Sequence, residues 1–468
     1  MKETSMWDDR FRVVFRRAPQ ILALGGLLVG WLLAPQAAAL TATGPLRVHP
    51  VNPRYFTDGT KNRDESLKAV YLTGSHTWRN VQDSANVPDF TSYLDFLKKY
   101  GHNYTRLWVY RGSPGGPALT PTIYARTGPG TALDGGSKYD VSTFNQAFFD
   151  QLRARCSAAR DRGIYVQVML DSSETAWSEA PGNINWPVHP YHPANNINGV
   201  NGDPNGDKWD YEIFSLQVAA LTALNESYAR KVVDTLNDLD NMLYEIVNEA
   251  NHGSREFQYH MVNYIRNYEA ANKPKRHSVG MTSYRDPGNE PGGANSDLFA
   301  SPADYISPGL NPYRDDPPPA DGRKVIILDT DHIGGGDANW VWKAFTRGMN
   351  PIYMDTWDVS DATREGARKA MGHTLTYAKK MNLAAMTPRN ELTSTGYCLA
   401  NPSVEYLVYQ PKPGESLSVE LKVGAYRYEW FNPSTGEVAS NGIVQSAGGA
   451  LQLKPPFEGE AVLYLKNQ

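Results

Sequence analysis

Two short stretches place carboxylates where paired acid chemistry is feasible. The first, Leu243-Tyr244-Glu245-Ile246-Val247-Asn248-Glu249, is an apolar, β-branched run that ends in an amide and a carboxylate before the polar Asn251-His252-Gly253-Ser254. It reads as a short buried strand running into a loop. Period-two alternation puts Leu243, Glu245, Val247 and Glu249 on one face, with Glu249 at the carboxyl end. Burial behind an apolar wall disfavours the charge of such a Glu, raises its pKa and suits it to donate a proton near neutral pH. Asn248 beside it is suited to bond a substrate hydroxyl. The second stretch is Val325-Ile326-Ile327-Leu328-Asp329-Thr330-Asp331-His332. Its alternation turns Asp329 and Asp331 to the same side, about 6–7 Å apart along the strand. Asp331 is the outer of the two and the better placed to meet a substrate. One acid that protonates a leaving oxygen and one carboxylate that attacks or activates water are the pair that glycoside hydrolysis requires.

The dipeptide alone is a weak signal, because Asn-Glu occurs four times, at 225–226, 248–249, 289–290 and 390–391. Only Asn248-Glu249 closes a strand pattern. What raises its weight is the succession of elements around it. Strand-like runs at Ala69–Gly74, Tyr104–Tyr110, Tyr165–Leu170, Met242–Val247, Ser278–Thr282, Ala303–Ser307, Val325–Leu328 and Pro351–Met354 alternate with helical patterns at Phe90–Tyr100, Phe144–Arg162, Ser215–Asn237 and Ala362–Lys380. That succession predicts a (β/α)8 TIM barrel over residues 44–390, with Glu249 after the fourth strand and Asp331 after the seventh, across one barrel mouth. From residue 391 to 468 the pattern becomes short alternating runs, such as Val404–Tyr409, Leu417–Leu421, Tyr426–Phe431, Leu451–Leu453 and Ala461–Leu465. Turns such as Asn432-Pro433-Ser434-Thr435-Gly436 separate them. This predicts a small antiparallel β-sandwich.

The 468 residues are 41% hydrophobic and 11% aromatic, enough for a large core in two domains. A net charge of −4 argues against nucleic acid as a partner. The N-terminus runs from basic residues between Arg10 and Arg17 through the apolar Ile21–Ala34 to Pro35-Gln36-Ala37-Ala38-Ala39. This order reads as a secretory signal over 1–39 and a secreted or periplasmic product. Ile21–Leu40 is also about long enough to span a bilayer, so an uncleaved N-terminal anchor stays open as the alternative. The two cysteines, Cys156 and Cys398, read as separate buried thiols.

The quoted residues resemble a family. Asn248-Glu249 after strand four and a carboxylate after strand seven resemble the clan-A glycoside hydrolases. More closely, Tyr55-Phe56-Thr57-Asp58-Gly59, Tyr71 to Trp78, Tyr244 to Glu249 and Val325 to His332 resemble the cellulase-like, apiosidase-like bacterial group, and Tyr426–Gly436 with Gly459–Leu465 resemble its C-terminal collagen-binding-type β-domain. The resemblance implies an O-glycosyl hydrolase with Glu249 as acid/base and Asp331 as its partner, acting with retention on a poly- or oligosaccharide, without cofactor and as a monomer. It departs from the clan at Asp331, where the clan carries Glu. The shorter side chain draws the carboxylate back by about one methylene and leaves attack on the sugar or activation of water both open. Arg106, in Tyr104-Thr105-Arg106-Leu107-Trp108, resembles the clan's second-strand Arg that keeps the nucleophile ionised; pairing with Glu245 or Asp329 is the other reading. Trp357, past strand eight, matches the clan's sugar-stacking Trp, with core packing as the alternative. His76 and Asp171, after strands one and three, sit by position at the same rim to bind hydroxyls, and Tyr313 past strand six is a further candidate. A different class, a non-catalytic glycan- or matrix-binding protein on a hydrolase-like barrel, is the alternative function.

Two metal readings compete with these. His76, Asp329, Asp331 and His332 lack the His-x-His spacing of a metal centre, so no metal is expected there. Asn201-Gly202-Asp203-Pro204-Asn205-Gly206-Asp207 through Glu212 nearly fits a calcium loop, with Asn201 in place of the first Asp; a solvated turn is expected. The surrounding insertion, Trp177–Trp209, is expected to wall one side of the cleft.

Overall fold

The computed structural model describes residues 41–83, 87, 89–112, 119–173, 185–207, 211–284 and 295–468. The signal segment, the Asn289-Glu290 dipeptide and parts of the Trp177–Trp209 insertion lie outside the described residues. Eight strands, β1 Gly74–His76, β2 Tyr104–Trp108, β3 Tyr165–Met169, β4 Met242–Glu245, β5 Val279–Thr282, β6 Tyr305–Ser307, β7 Val325–Asp329 and β8 Asn350–Met354, form one parallel sheet ordered β1-β8-β7-β6-β5-β4-β3-β2. Its two ends meet. The Asn103 N–H donates to the Thr73 carbonyl at 3.2 Å and the Thr73 N–H to Asn103 Oδ1 at 3.0 Å. The backbones come so close there that a Cβ on Gly74 would lie 2.2 Å from the Tyr104 carbonyl oxygen, which is why this position takes glycine. The result is a (β/α)8 barrel.

Helices Phe90–Lys99, Gln146–Arg160, Ala219–Leu236, Arg255–Asn272, Asn295–Ala300, Ala338–Thr346 and Ala362–Lys380 surround the sheet. Several start where a side chain meets orphan backbone donors: Asp89, Asn145, Asp337 and Asp361 accept from N–H groups of the first turn. Among the described residues no helix lies between β6 and β7. The expected first strand, Ala69–Gly74, is displaced toward its carboxyl end. Residues ahead of β1 are held by side chains instead, the Leu72 N–H donating to Asn350 Oδ1 at 3.0 Å. A hairpin of Tyr124–Thr131 and Ser137–Phe144 precedes the second helix. Its strands pair in a broken register, and the short Tyr139-x-Val141 alternation is all that announces them.

Strand alternation divides the barrel's side chains. Tyr104, Leu243, Tyr305, Val325, Ile327 and Ile352 close its floor from inside, while Leu107, Val166, Tyr244, Ile326 and Leu328 face the helices. Beyond the last helix, six antiparallel strands pair in the order Thr387–Pro388, Cys398–Asn401, Glu405–Gln410, Ala461–Asn467, Gly424–Asn432, Glu437–Ser446, with Leu417–Leu421 and Gly449–Leu453 as a separate pair. Tyr406, Val408, Leu463 and Leu465 pack toward that pair. The alternate residues Leu407, Tyr409, Val462 and Tyr464 pack toward the barrel helices, where Trp342 stacks on Tyr409 at 6.1 Å and Tyr377 meets Phe431 edge-on at 5.4 Å. Burial on both faces explains why these strands read as continuous apolar runs. Cys156 and Cys398 are buried free thiols. Among the described residues no helix is long and apolar enough to cross a membrane.

Candidate active site

At the carboxyl ends of the strands the barrel interior turns ionic, and Arg106 of β2 is its centre. The guanidinium is fully buried, and its planar fork is spent on several partners at once. Nε donates to Glu245 Oε2 at 2.7 Å and Nη2 to Glu245 Oε1. Nη1 reaches Asp331 Oδ2 at 3.2 Å and Asp329 Oδ2 at 3.4 Å, and Nη2 also donates to Asn248 Oδ1 at 2.7 Å. One face of the fork lies over the Trp108 ring, 4.6 Å from its centre. Arg106 therefore pairs the deep acids Glu245 and Asp329 and also touches Asp331.

His76 is not a rim residue. It is fully buried, Nδ1 faces the Trp108 indole Nε1 at 3.0 Å and Nε2 faces Asp329 Oδ1 at 2.8 Å. An indole N–H can only donate, so His76 Nδ1 accepts and Nε2 carries the proton to Asp329. Both ring nitrogens are used, and none is left for a sugar. Burial alone would raise the pKa of Asp329, but the hydrogen bond from His76 and the Arg106 guanidinium nearby hold it well below the usual carboxylate range. For Asp331 the balance goes the other way. Burial and the negative charge of Asp329 raise it against the pull of His332 and Arg106.

The strand geometry that carries these two acids differs from the expected one. β7 ends at Asp329, whose side chain caps the helical turn Thr330–Ile333 by accepting from the Asp331 N–H at 2.9 Å. Asp331 thus stands on the first turn of a helix, with its side chain 14% exposed against 1% for Asp329. It keeps the outer position but owes it to the turn and not to the pleat. β4 likewise stops at Glu245 and not at Val247. Val247 packs among the residues facing the helices, Asn248 turns in to Arg106, and Glu249 follows at φ +48°, half-buried, its carbonyl accepting from Ser173 Oγ at 2.7 Å. The single face expected for Glu245, Val247 and Glu249 is broken at Ile246–Asn248.

Asn248 is oriented without ambiguity. Because Arg106 has no acceptor, the atom facing it must be the amide oxygen, which also receives His332 Nε2 at 3.0 Å. His332 Nδ1 in turn meets Ser307 Oγ at 2.8 Å, and burial keeps the imidazole pKa below its ordinary value. The Asn248 Nδ2 group is buried without a partner, a donor ready for a hydroxyl. Asp329, Asp331 and His332 offer oxygens and a nitrogen within 4.8 Å of one another, a spacing a metal could use. Arg106 already supplies the cation those carboxylates face, so the donor set fits a guanidinium and not a metal ion.

Asp171, Tyr313 and Trp357 do not join this group. Asp171 is 2% exposed, paired with Arg111 Nη2 at 3.0 Å, its pKa pushed up to about 6 by burial against the opposing charge of Arg111. Two residues distant in sequence meet there, which strand order alone does not reveal. Tyr313 is buried in the core, where its carbonyl accepts from Trp340 Nε1. Trp357 is half-buried and meets Tyr93 and Phe96 edge-on at 5.8 Å each, among the helix-facing residues. Trp108 and His332 were the residues missed as partners. The alternation Arg106-x-Trp108 pointed Trp108 inward, and that was the available signal. Near Trp108, half-buried Trp78 packs with Met169 and Met354.

A family model for a domain of unknown function, DUF6298, matches residues 117–289. No curated protein matches the sequence. Among solved structures, one titled a putative glycoside hydrolase from Bacteroides vulgatus superposes with a TM-score of 0.60 at 12% identity, covering 91% of this chain and 82% of that one. A family 5 glycoside hydrolase from Bacteroides vulgatus gives 0.58 at 14%, covering 92% and 95%, and a further glycoside hydrolase 0.58 at 12%, covering 91% and 97%. The structural neighbours are glycoside hydrolases. At such identities the likeness establishes a shared architecture, barrel and C-terminal sheets together, and the chemistry rests on this chain's own residues.

Proposed function

We propose that the chain is an exported glycoside hydrolase that cleaves poly- or oligosaccharides with retention. The observation that carries the reading is Arg106, which links the amide preceding Glu249 to the carboxylate of Asp331 across the barrel mouth. Glu249 protonates the glycosidic oxygen as that bond breaks, and Asp331 attacks the anomeric carbon to form a glycosyl ester. Water activated by Glu249, now a carboxylate, then displaces Asp331 and returns the proton. Asn248 Nδ2 bonds a sugar hydroxyl. Arg106 offsets the charge on Asp331, and Asp329 with His76 fixes the turn on which Asp331 stands. The N-terminal signal delivers the chain outside the cytoplasm, and the C-terminal sheets act as a collagen-binding-type accessory domain beside the barrel.

The shortened Asp331, with a raised pKa, favours one second reading, a glycan- or matrix-binding protein without turnover. A screen of the mature chain on plant and bacterial polysaccharides, with product anomers followed by NMR, separates them. Hydrolysis with the substrate's anomeric configuration kept in the first product supports the proposal. Inverted product assigns Asp331 to water activation, and binding without hydrolysis of any glycan selects the second reading.

A further inference from the structure

The described residues 201–207 and 211–212 take no part in the chemistry above, yet they gather charge in an unusual way. Asp203 and Glu212 are buried and Asp207 is exposed, and carboxylate oxygens of the three lie within 4.8 Å of one another. Glu212 is only 6% exposed, and its Oε2 is buried with no hydrogen-bond partner. A buried carboxylate oxygen that itself accepts no hydrogen bond, beside two more carboxylates, is costly unless something positive completes it. Burial, then the charges of Asp207 and Asp203, raise the pKa of Glu212.

We propose that this loop binds a calcium-type divalent cation through the carboxylates of Asp203, Asp207 and Glu212. Calcium–oxygen distances of about 2.4 Å allow ligand oxygens up to about 4.8 Å apart across one ion, and the three carboxylates fall within that span. Calcium takes six to eight oxygens in flexible geometry, which suits a loop of side chains better than the strict octahedron of magnesium. The spacing repeats the calcium-loop pattern at its third, fifth, sixth and twelfth positions, Asp203, Asn205, Gly206 and Glu212, with Asn201 at the first; Asp207 stands at the seventh, whose residue type the pattern leaves open. Gly206 has φ +75°, the sharp turn for which such loops need glycine.

The site has a place in the fold. Gly202 has no room for a side chain against Trp186 and Ile213, at 3.0 and 3.1 Å from a built Cβ, and its N–H donates to the Tyr191 carbonyl at 2.9 Å. The Tyr191 ring lies 4.8 Å from the Arg111 guanidinium, which pairs with Asp171, whose carbonyl accepts from the Asn248 N–H at 3.0 Å. A cation in the loop therefore braces the insertion after β3 against the barrel mouth. The inference does not depend on the reaction proposed above.

Calcium titrated into the full chain stripped of metal with EGTA tests it, by calorimetry and by displacement of terbium luminescence sensitised by nearby tryptophan. One site is expected, with a calcium-dependent rise in Tm. Glu212→Gln and, separately, Asp207→Asn should each weaken calcium binding by about tenfold or more, because each removes a charged ligand. Asp331→Asn should leave it unchanged. Asp207 is exposed, so its variant folds whatever becomes of Glu212→Gln. No calcium-dependent change at millimolar calcium, or an Asp207→Asn variant that binds as the wild type does, overturns the proposal.

Discussion

Arg106 is one cation facing Glu245, Asp329 and Asp331, and a single positive charge does not neutralise three carboxylates. The surplus falls on Asp331, the most exposed of them, whose pKa is raised while that of Asp329 is depressed. Activity that needs ionised Asp331 should therefore fall on acidification at a pH above the ordinary Asp value of about 3.9. A kcat/KM profile checks this. Asp329→Asn removes the negative neighbour that raises Asp331, so the acid limb should move to lower pH. Stability follows the opposite sign for Asp329. Its folded pKa lies below the unfolded one, so its contribution is present above about pH 4 and is lost as pH falls below that. Asp329→Asn should also cost about 3 kcal/mol at neutral pH in urea unfolding, because it unbalances a buried pair with Arg106 and His76. Asp331→Asn should abolish turnover with little change in stability, since the helical turn is capped by Asp329 and not by Asp331.

The elements that hold these residues were legible to different depths. β2, β3, β7 and β8 lie within about two residues of their sequence expectation because each is a short run, rich in apolar and aromatic residues, that is buried on both faces. The break after Glu245 was hidden, since Ile246 and Val247 prolong the apolar run while the backbone leaves the pleat. The turn at Thr330–Ile333 was hidden because Asp-x-Asp reads equally well as alternation. Asp171 and His76 looked like rim residues by strand order, and only their partners, Arg111, Trp108 and Asp329, make them buried structure. The break in β4 has its own consequence. Glu249 sits at φ +48°, a conformation that costs a side-chain-bearing residue about 1 kcal/mol and glycine nothing. Glu249→Gly should therefore be more stable than Glu249→Ala by about that amount, reversing the usual order of the two residues. Paired thermal or urea melts of the two variants measure it, and an Ala variant at least as stable as the Gly variant would show the φ to be unstrained.

At the scale of the molecule, the barrel helices and the C-terminal sheet share one core through Trp342, Tyr377, Tyr409 and Phe431. A chain cut near residue 391 would expose those aromatics, so the two parts should unfold together. Calorimetry of the full chain should give a single transition with equal calorimetric and van't Hoff enthalpies, and two separated transitions would show independent folding. The shared core also underlies a site whose proposed chemistry needs Glu249 and Asp331 on either side of one bond. The most direct test of that pairing is the hydrolysis rate of Glu249→Gln beside the wild type, on a glycan that the wild type cleaves. With Glu249 as acid/base, kcat should fall by about two to four orders of magnitude with ligand binding retained, the contribution expected of such a group. A Glu249→Gln variant that hydrolyses the glycan at the wild-type rate would contradict that role.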